Sequence, residues 1–195
     1  MMEICLVRHG ETDWNKLGKL QGHTDIRLNS KGIIQANACA DYLRESSYEL
    51  IITSPLKRAK QTAQIISERN HIPIIEMSQF IERSYGDAEG LTQEERITKY
   101  PDLKYPNQES REFLLERVML GLQKIQSEQD VKKLILVAHG AVINTILAVI
   151  SNNEIGSGKT VLANACISTI RFAEGNWHIL NYNQVNHLVI NEFSP

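Results

Sequence analysis

The sequence predicts an α/β fold: three layers, with a central, mostly parallel sheet and helices on both of its faces. Two observations carry that prediction. Short apolar, β-branched runs of the kind buried on both faces alternate along the chain with segments of helical periodicity. The 195 residues, 42% hydrophobic and 23% charged, suffice for one hydrophobic core without staples. One domain over residues 1–195 is expected, with residues 76–112 as a lid or substrate wall.

The elements follow in order. Residues 3–8, "EICLVR", read as a buried strand. After a loop punctuated by Gly and Asn, a helix is expected from Ser30, with Ser30 as its N-cap and Ile33, Ala36, Ala40 and Leu43 at helical spacing. Residues 48–54, "YELIITS", are a second strand, and Pro55 stands where helices accept a proline before "LKRAKQTAQIISERN". "IPII" at 72–75 is a third strand. The polar stretch 76–108 holds a short helix near "TQEERITKY". A long amphipathic helix follows, with Leu115, Val118, Leu122 and Ile125 on one face. "KLILVA" at 133–138 is a buried strand, 141–150 a mostly apolar helix, and "CISTIRF" and "NWHILNY" around "AEGN" form a hairpin.

Charge and composition exclude several function classes. A net charge of -2 and a pI near 6.3 give no basic field for nucleic acid. The apolar run 141–150 is too short to span a bilayer and carries Asn144 and Thr145. Cys5, Cys39 and Cys166 lack zinc-ligand and CxxC spacing and read as reduced core thiols. Strand-like sequence begins at Glu3 with no basic n-region before it, so a soluble cytoplasmic protein is expected, a monomer or small homo-oligomer.

Ligands of open α/β sheets bind beyond the carboxyl ends of the strands. Four such ends deliver polar residues of one chemical type. The first gives Arg8 and His9; the second gives Thr53 and Ser54, then Arg58. Beyond the third lie Glu82, Arg83 and Tyr85, and the fourth gives His139 and Gly140. Arginine forks suit phosphate oxygens, and the helix N-termini after Pro55 and Gly140 are expected to add backbone donors. One histidine can then act as nucleophile and the carboxylate as proton donor.

"LVRHGETDWN", "TSPLKRAKQTA", "ERSYGDAEG" and "VAHGAV", in this order, resemble the histidine phosphatase superfamily, which holds the cofactor-dependent phosphoglycerate mutases and related phosphatases. "NQVNHL" is similar to the family's C-terminal stretch. The resemblance implies a phosphoglycerate mutase-like fold. It implies that His9 attacks phosphorus and becomes a phosphohistidine, while Arg8, Arg58 and His139 hold the phosphoryl group. Glu82 would protonate the leaving oxygen and then activate water. Asn15 and the backbone near Gln21 and Gly22 would add phosphate contacts, and Arg83 and Tyr85 would wall the leaving-group side. No metal or cofactor is implied, because the arginines neutralise the equatorial oxygens. Uncatalysed phosphate-monoester hydrolysis is slow enough to ask for ~10²¹-fold acceleration. The arginines favour a neutral His9 and Glu82 needs its proton, so an optimum at mildly acidic to neutral pH is expected.

Alternatives remain at this point. His23, His71, His178 and His187 read as structural or exposed, and Trp14 and Trp177 as packing residues. "GSGKT" at 156–160 imitates a phosphate-binding loop, but Asn153 stands where the pattern needs glycine and no strand–helix context surrounds it. A mutase would need extra cations for a second anion. Gln93 stands where its lysine is expected, and 100–112 has Lys104 and Arg111 but no Arg-Arg pair. Hydrolysis of small phosphomonoesters is therefore preferred over a mutase, and over a non-catalytic protein that binds phospho-ligands or a partner.

Overall fold

The structure is a computed structural model that describes residues 1–189. Its elements are β1 (Met2–Arg8), α1 (Asp13–Lys16), α2 (Ser30–Leu43), β2 (Leu50–Thr53), α3 (Lys57–Asn70), β3 (Ile74–Glu76), α4 (Gln93–Lys99), α5 (Arg111–Glu128), β4 (Lys133–Ala138), α6 (Gly140–Ile150), β5 (Ile167–Ala173), β6 (Asn176–Gln184) and α7 (Asn186–Val189). Short 3₁₀ turns at 78–80 and 86–88 lie between β3 and α4. The strands form one sheet in the order β3-β2-β4-β1-β5-β6. β1 to β4 are parallel to their neighbours; β5 runs antiparallel to β1, and β6 antiparallel to β5.

Strand periodicity sorts the core into two clusters. Ile4, Leu6, Ile52, Leu134 and Leu136 face α5 and α6, whereas Cys5, Val7, Ile51, Ile135 and Val137 face α2 and α3. All ten are fully buried, each contributing about 1.5–3 kcal/mol. This explains the continuous apolar runs: both faces of the inner strands are covered. The β5–β6 turn places Glu174 at φ 53° and Gly175 at φ 83°, the geometry that matches the twist of a two-residue hairpin.

Several local expectations need correction. The cap of α2 is Asn29, whose side chain accepts from Gly32 N; Ser30 is already helical. Ile33 on that helix is 45% exposed, and only the rest of the predicted stripe is buried. On α5 the buried face uses Leu114 in place of Leu115, which is 41% exposed. The third strand starts two residues later than expected, at Ile74. "GSGKT" forms turns with no helix after it. Gly156, at φ 140°, packs so tightly on α6 that a Cβ would lie 2.8 Å from Ala148 Cβ. Cys5, Cys39 and Cys166 are free and buried. Among the described residues, no helix is long and apolar enough to cross a membrane.

Candidate active site

The register aligns three strand ends: Arg8 pairs with Ala138, and Thr53 with Val137. His9, Ser54 and His139 therefore leave the sheet side by side. A cleft of about 570 Å³ opens there, lined by Arg8, His9, Asn15, Gln21, Arg58 and Glu82, with Tyr85 on its wall.

His9 is 3% exposed. Its Nδ1 lies 2.7 Å from the carbonyl of Gly10. A carbonyl can only accept, so Nδ1 carries the hydrogen and Nε2 keeps its lone pair in the neutral ring. Burial pushes the His9 pKa well below its ordinary value, and Arg58 and Arg8 push it further. The backbone is fixed as well. His9 N donates to Ala138 O at 3.0 Å, and Ala165 N to His9 O at 3.1 Å.

Arg58, fully buried at the start of α3, donates Nη2 to Gly22 O at 2.8 Å and Nη1 to Thr24 O at 3.0 Å. Arg8 donates Nη1 to Leu162 O. These carbonyls orient the guanidinium groups without neutralising them, and Nε of each is buried with no partner. His139 lies beneath the cleft; its Nε2 is 2.7 Å from Ser54 Oγ. That hydroxyl accepts from Leu56 N at 3.3 Å, so its hydrogen is free for Nε2. Nδ1 of the ring is buried and, among the described residues, without a partner. Guanidinium groups beside one cleft with buried N–H left over are able to take up an anion.

Glu82 is 6% exposed. One carboxylate oxygen accepts from Arg83 N at 2.8 Å, the other from Ala141 N at 3.2 Å at the start of α6. Burial raises its pKa, against the pull of these N–H groups and of Arg58 and Arg8. Its backbone is clasped too: Arg117 donates to Gln79 O, Ile81 O and Glu82 O and pairs through two nitrogens with Glu109. His23 Nε2 reaches Glu82 O at 2.9 Å.

The remaining expectations divide. Asn15 and Gln21 line the cleft, but Asn15 Oδ1 is taken by the N–H and hydroxyl of Thr12, and Gln21 Nε2 by Thr12 Oγ1. Gly22 turns its carbonyl to Arg58. Arg83 lies outside this cleft, donating to Glu109 O at 2.9 Å and lining an adjoining cavity with Tyr85. At the helix N-terminus after Pro55, one backbone donor is already taken: Lys57 N donates to Asp25 at 2.7 Å. At α6 the corresponding donor holds Glu82. Sequence reasoning missed Asn164, whose Nδ2 reaches His9 O at 3.2 Å and Asn15 Oδ1 at 3.2 Å. It also missed Arg117, and Arg96 on the cleft wall.

Comparison with known proteins agrees with this geometry. The family model for the histidine phosphatase superfamily (branch 1) matches residues 4–185. The chain is 52% identical to the "Uncharacterized phosphatase PhoE" of Bacillus subtilis (strain 168), over 96% of this chain and 97% of that protein. It is 35% identical to the metal-independent phosphoserine phosphatase of Arabidopsis thaliana, over 95% of this chain and 83% of that one. The solved structure of Bacillus stearothermophilus YhfR superposes with a TM-score of 0.89 at 26% identity, covering 96% of this chain and all of that one. Motif order, sheet topology and these matches agree: the chain belongs to the histidine phosphatase superfamily, branch 1.

Proposed function

We propose that this histidine phosphatase hydrolyses small phosphomonoesters through a phosphohistidine on His9. The observation that carries the reading is the Nδ1–Gly10 hydrogen bond, which leaves a neutral Nε2 among guanidinium groups that, among the described residues, have no carboxylate within ion-pair distance. In the first step a bond forms from Nε2 to phosphorus as the ester P–O bond breaks. Glu82 gives its proton to the departing oxygen. Arg8 and Arg58 neutralise the equatorial oxygens, and His139 holds them through a ring N–H. In the second step Glu82, now a carboxylate, takes a proton from water; the water oxygen bonds to phosphorus, the P–N bond breaks, and inorganic phosphate leaves. Neither step calls for a metal.

Residues 76–112 act as the leaving-group wall of a single domain, a reading supported by Tyr85 and Arg96 lining the cleft. Three buried free thiols suit a reducing cytoplasm; the enzyme acts as a monomer or small homo-oligomer. Chiral, isotope-labelled phosphomonoester separates the mechanisms. Retention of configuration at phosphorus supports two displacements through His9, and inversion overturns them. The His9→Ala variant should retain ligand binding and lose turnover. Turnover kept in that variant rejects the assigned nucleophile. A mutase is distinguished with 3-phosphoglycerate primed by 2,3-bisphosphoglycerate and followed by phosphorus NMR: inorganic phosphate supports hydrolysis, and 2-phosphoglycerate supports the mutase.

A further inference from the structure

The closing motif "NQVNHL" lines no part of the His9 cleft, yet His187 within it is buried, only 4% exposed. It stands on α7, which packs against α2. Its Nε2 lies 3.0 Å from the carbonyl of Ala165. A carbonyl can only accept, so Nε2 carries a hydrogen. The thiol of Cys39 on α2 donates to the same oxygen at 3.4 Å. We infer that His187 is a positioning residue for His9 and acts on it from outside the cleft, through Ala165. The inference rests on the reading of His9 as nucleophile and names a residue that serves it.

The connection runs through residues 162–166, which lie across residues 8–10 as a strap. Arg8 N donates to Cys166 O at 3.1 Å, and Ala165 N to His9 O at 3.1 Å. Asn164 Nδ2 reaches His9 O at 3.2 Å and Gly10 O at 3.4 Å. Arg8 Nη1 donates to Leu162 O. Gly10 O is also the acceptor that fixes the hydrogen of the His9 ring on Nδ1. The strap therefore holds both the backbone of His9 and the group that sets its tautomer. It is not a relaxed segment. Ala165 sits in the left-handed region at φ 57°, a conformation that costs any residue with a Cβ. Such a conformation persists only where its surroundings over-determine it. Here His9 O holds the Ala165 N–H, while His187 and Cys39 hold its carbonyl, so both of its backbone dihedrals are pinned. A thiol is a weak donor, which leaves His187 as the main hold on the carbonyl. Without it the Ala165 carbonyl can swing toward an ordinary conformation, and the N–H aimed at His9 turns away with it.

The test compares His187→Phe, which fills the place of the ring without a donor, with His187→Gln, whose amide nitrogen stands as many bonds from Cα as Nε2 does and can donate to Ala165 O. Both are assayed with p-nitrophenyl phosphate at a temperature where circular dichroism confirms the fold. In His187→Phe, kcat should fall about tenfold to a hundredfold, the scale of a small misplacement of the nucleophile, with a smaller change in KM. His187→Gln should recover most of that loss. Nitrogen-15 NMR of histidine-labelled protein reads the geometry without turnover. The His9 signals, identified by their loss in His9→Gln, should show a hydrogen on Nδ1 and a bare Nε2 in the wild type. In His187→Phe they should move toward those of a ring that exchanges its hydrogen between the two nitrogens. His9 signals unmoved in His187→Phe, or displaced equally in His187→Gln, would overturn the inference. Displaced signals with turnover intact would uphold the positioning role and reject His9 as the nucleophile, so the two readings fail separately.

Discussion

The rings of His9 and His139 lie 5.2 Å apart between centroids, tilted by 57°, and neither can take up a proton cheaply. Burial, Arg58 and Arg8 depress both pKa values, and the His9 ring adds to the effect at His139. A group with a depressed histidine pKa binds fewer protons folded than unfolded, so its contribution to stability is complete above the unfolded value of 6.5 and is lost as pH falls below it. Stability should drop on acidification from pH ~7 to ~5, with a slope approaching about 1.4 kcal/mol per pH unit for each ring. Glu82, with a raised pKa, contributes in the opposite sense: it loses stability as pH rises from its unfolded value of 4.5 toward its folded one. Urea midpoints across this range measure the net slope. The His9→Gln/His139→Gln double variant should flatten it, and an unchanged slope would refute the assignment.

Glu82→Gln separates the two proton transfers. An alkyl phosphate needs a proton on its departing oxygen and should be cleaved ~10²–10⁴-fold more slowly. A nitrophenolate leaves without that proton, so the first displacement should survive and the water-activating step should fail. Rapid-mixing kinetics should then record a burst of nitrophenolate close to one per active site, followed by slow turnover. Equal losses on both substrates without a burst would remove Glu82 from both roles. In wild-type enzyme, the alkaline limb for alkyl phosphates should report the raised Glu82 pKa, because activity falls as its proton is lost.

Arg117 and Glu109 pair at 2.6 Å with side chains 13% and 9% exposed. Removing the cation leaves a carboxylate with little water and frees the carbonyls before and at Glu82. Arg117→Ala should cost about 3–5 kcal/mol. The variant should also lower kcat more than it raises KM. Arg117→Lys should remain impaired, since an ammonium cannot span three carbonyls and both carboxylate oxygens. Chemical denaturation combined with steady-state kinetics gives both readouts; a loss of stability with kcat intact would reduce Arg117 to a folding role.

Gly22→Ala tests how Arg58 is held. An added Cβ would fall 2.1 Å from Glu89 Oε1 and 2.6 Å from Arg83 O. The 22–24 loop must shift, taking with it the two carbonyls that fix Arg58. A displacement near 1 Å costs on the order of 10²-fold in rate, measurable as kcat/KM at a temperature where circular dichroism confirms the fold. Activity within twofold of wild type would mean that Arg58 needs no such support.

Much of this was legible in the sequence, for a physical reason. Strands covered on both faces read as continuous apolar runs, and a parallel sheet gathers their ends, so Arg8, His9, Arg58, Glu82 and His139 could be assigned to one edge. Helix phase was harder. Phe113, Leu114 and Leu115 are consecutive apolar residues, and only Leu114 turns inward, so periodicity alone misplaced the face by one residue. Arg117 and Arg96 resemble solvated helix arginines until the chain folds back against them. Asn164 lies in an irregular loop far along the chain from the His9 backbone it holds. The asparagine cap was misread because Asn29 and Ser30 are both good caps, and only the side-chain bond to Gly32 N decides between them.

β1 is the first strand synthesised, yet it is paired on both sides by late ones: Glu3 lies opposite Lys133 on β4 and Arg171 on β5. A ribosome adding about 5–20 residues per second leaves that strand without β4 for roughly six to twenty-six seconds. During that interval "EICLVR" is an apolar segment awaiting its neighbours. His9 depends on Ala138 and Ala165 for its backbone bonds, so a chain that ends before them lacks both. The first ten residues thus reach their folded arrangement only against partners from the last third of the chain.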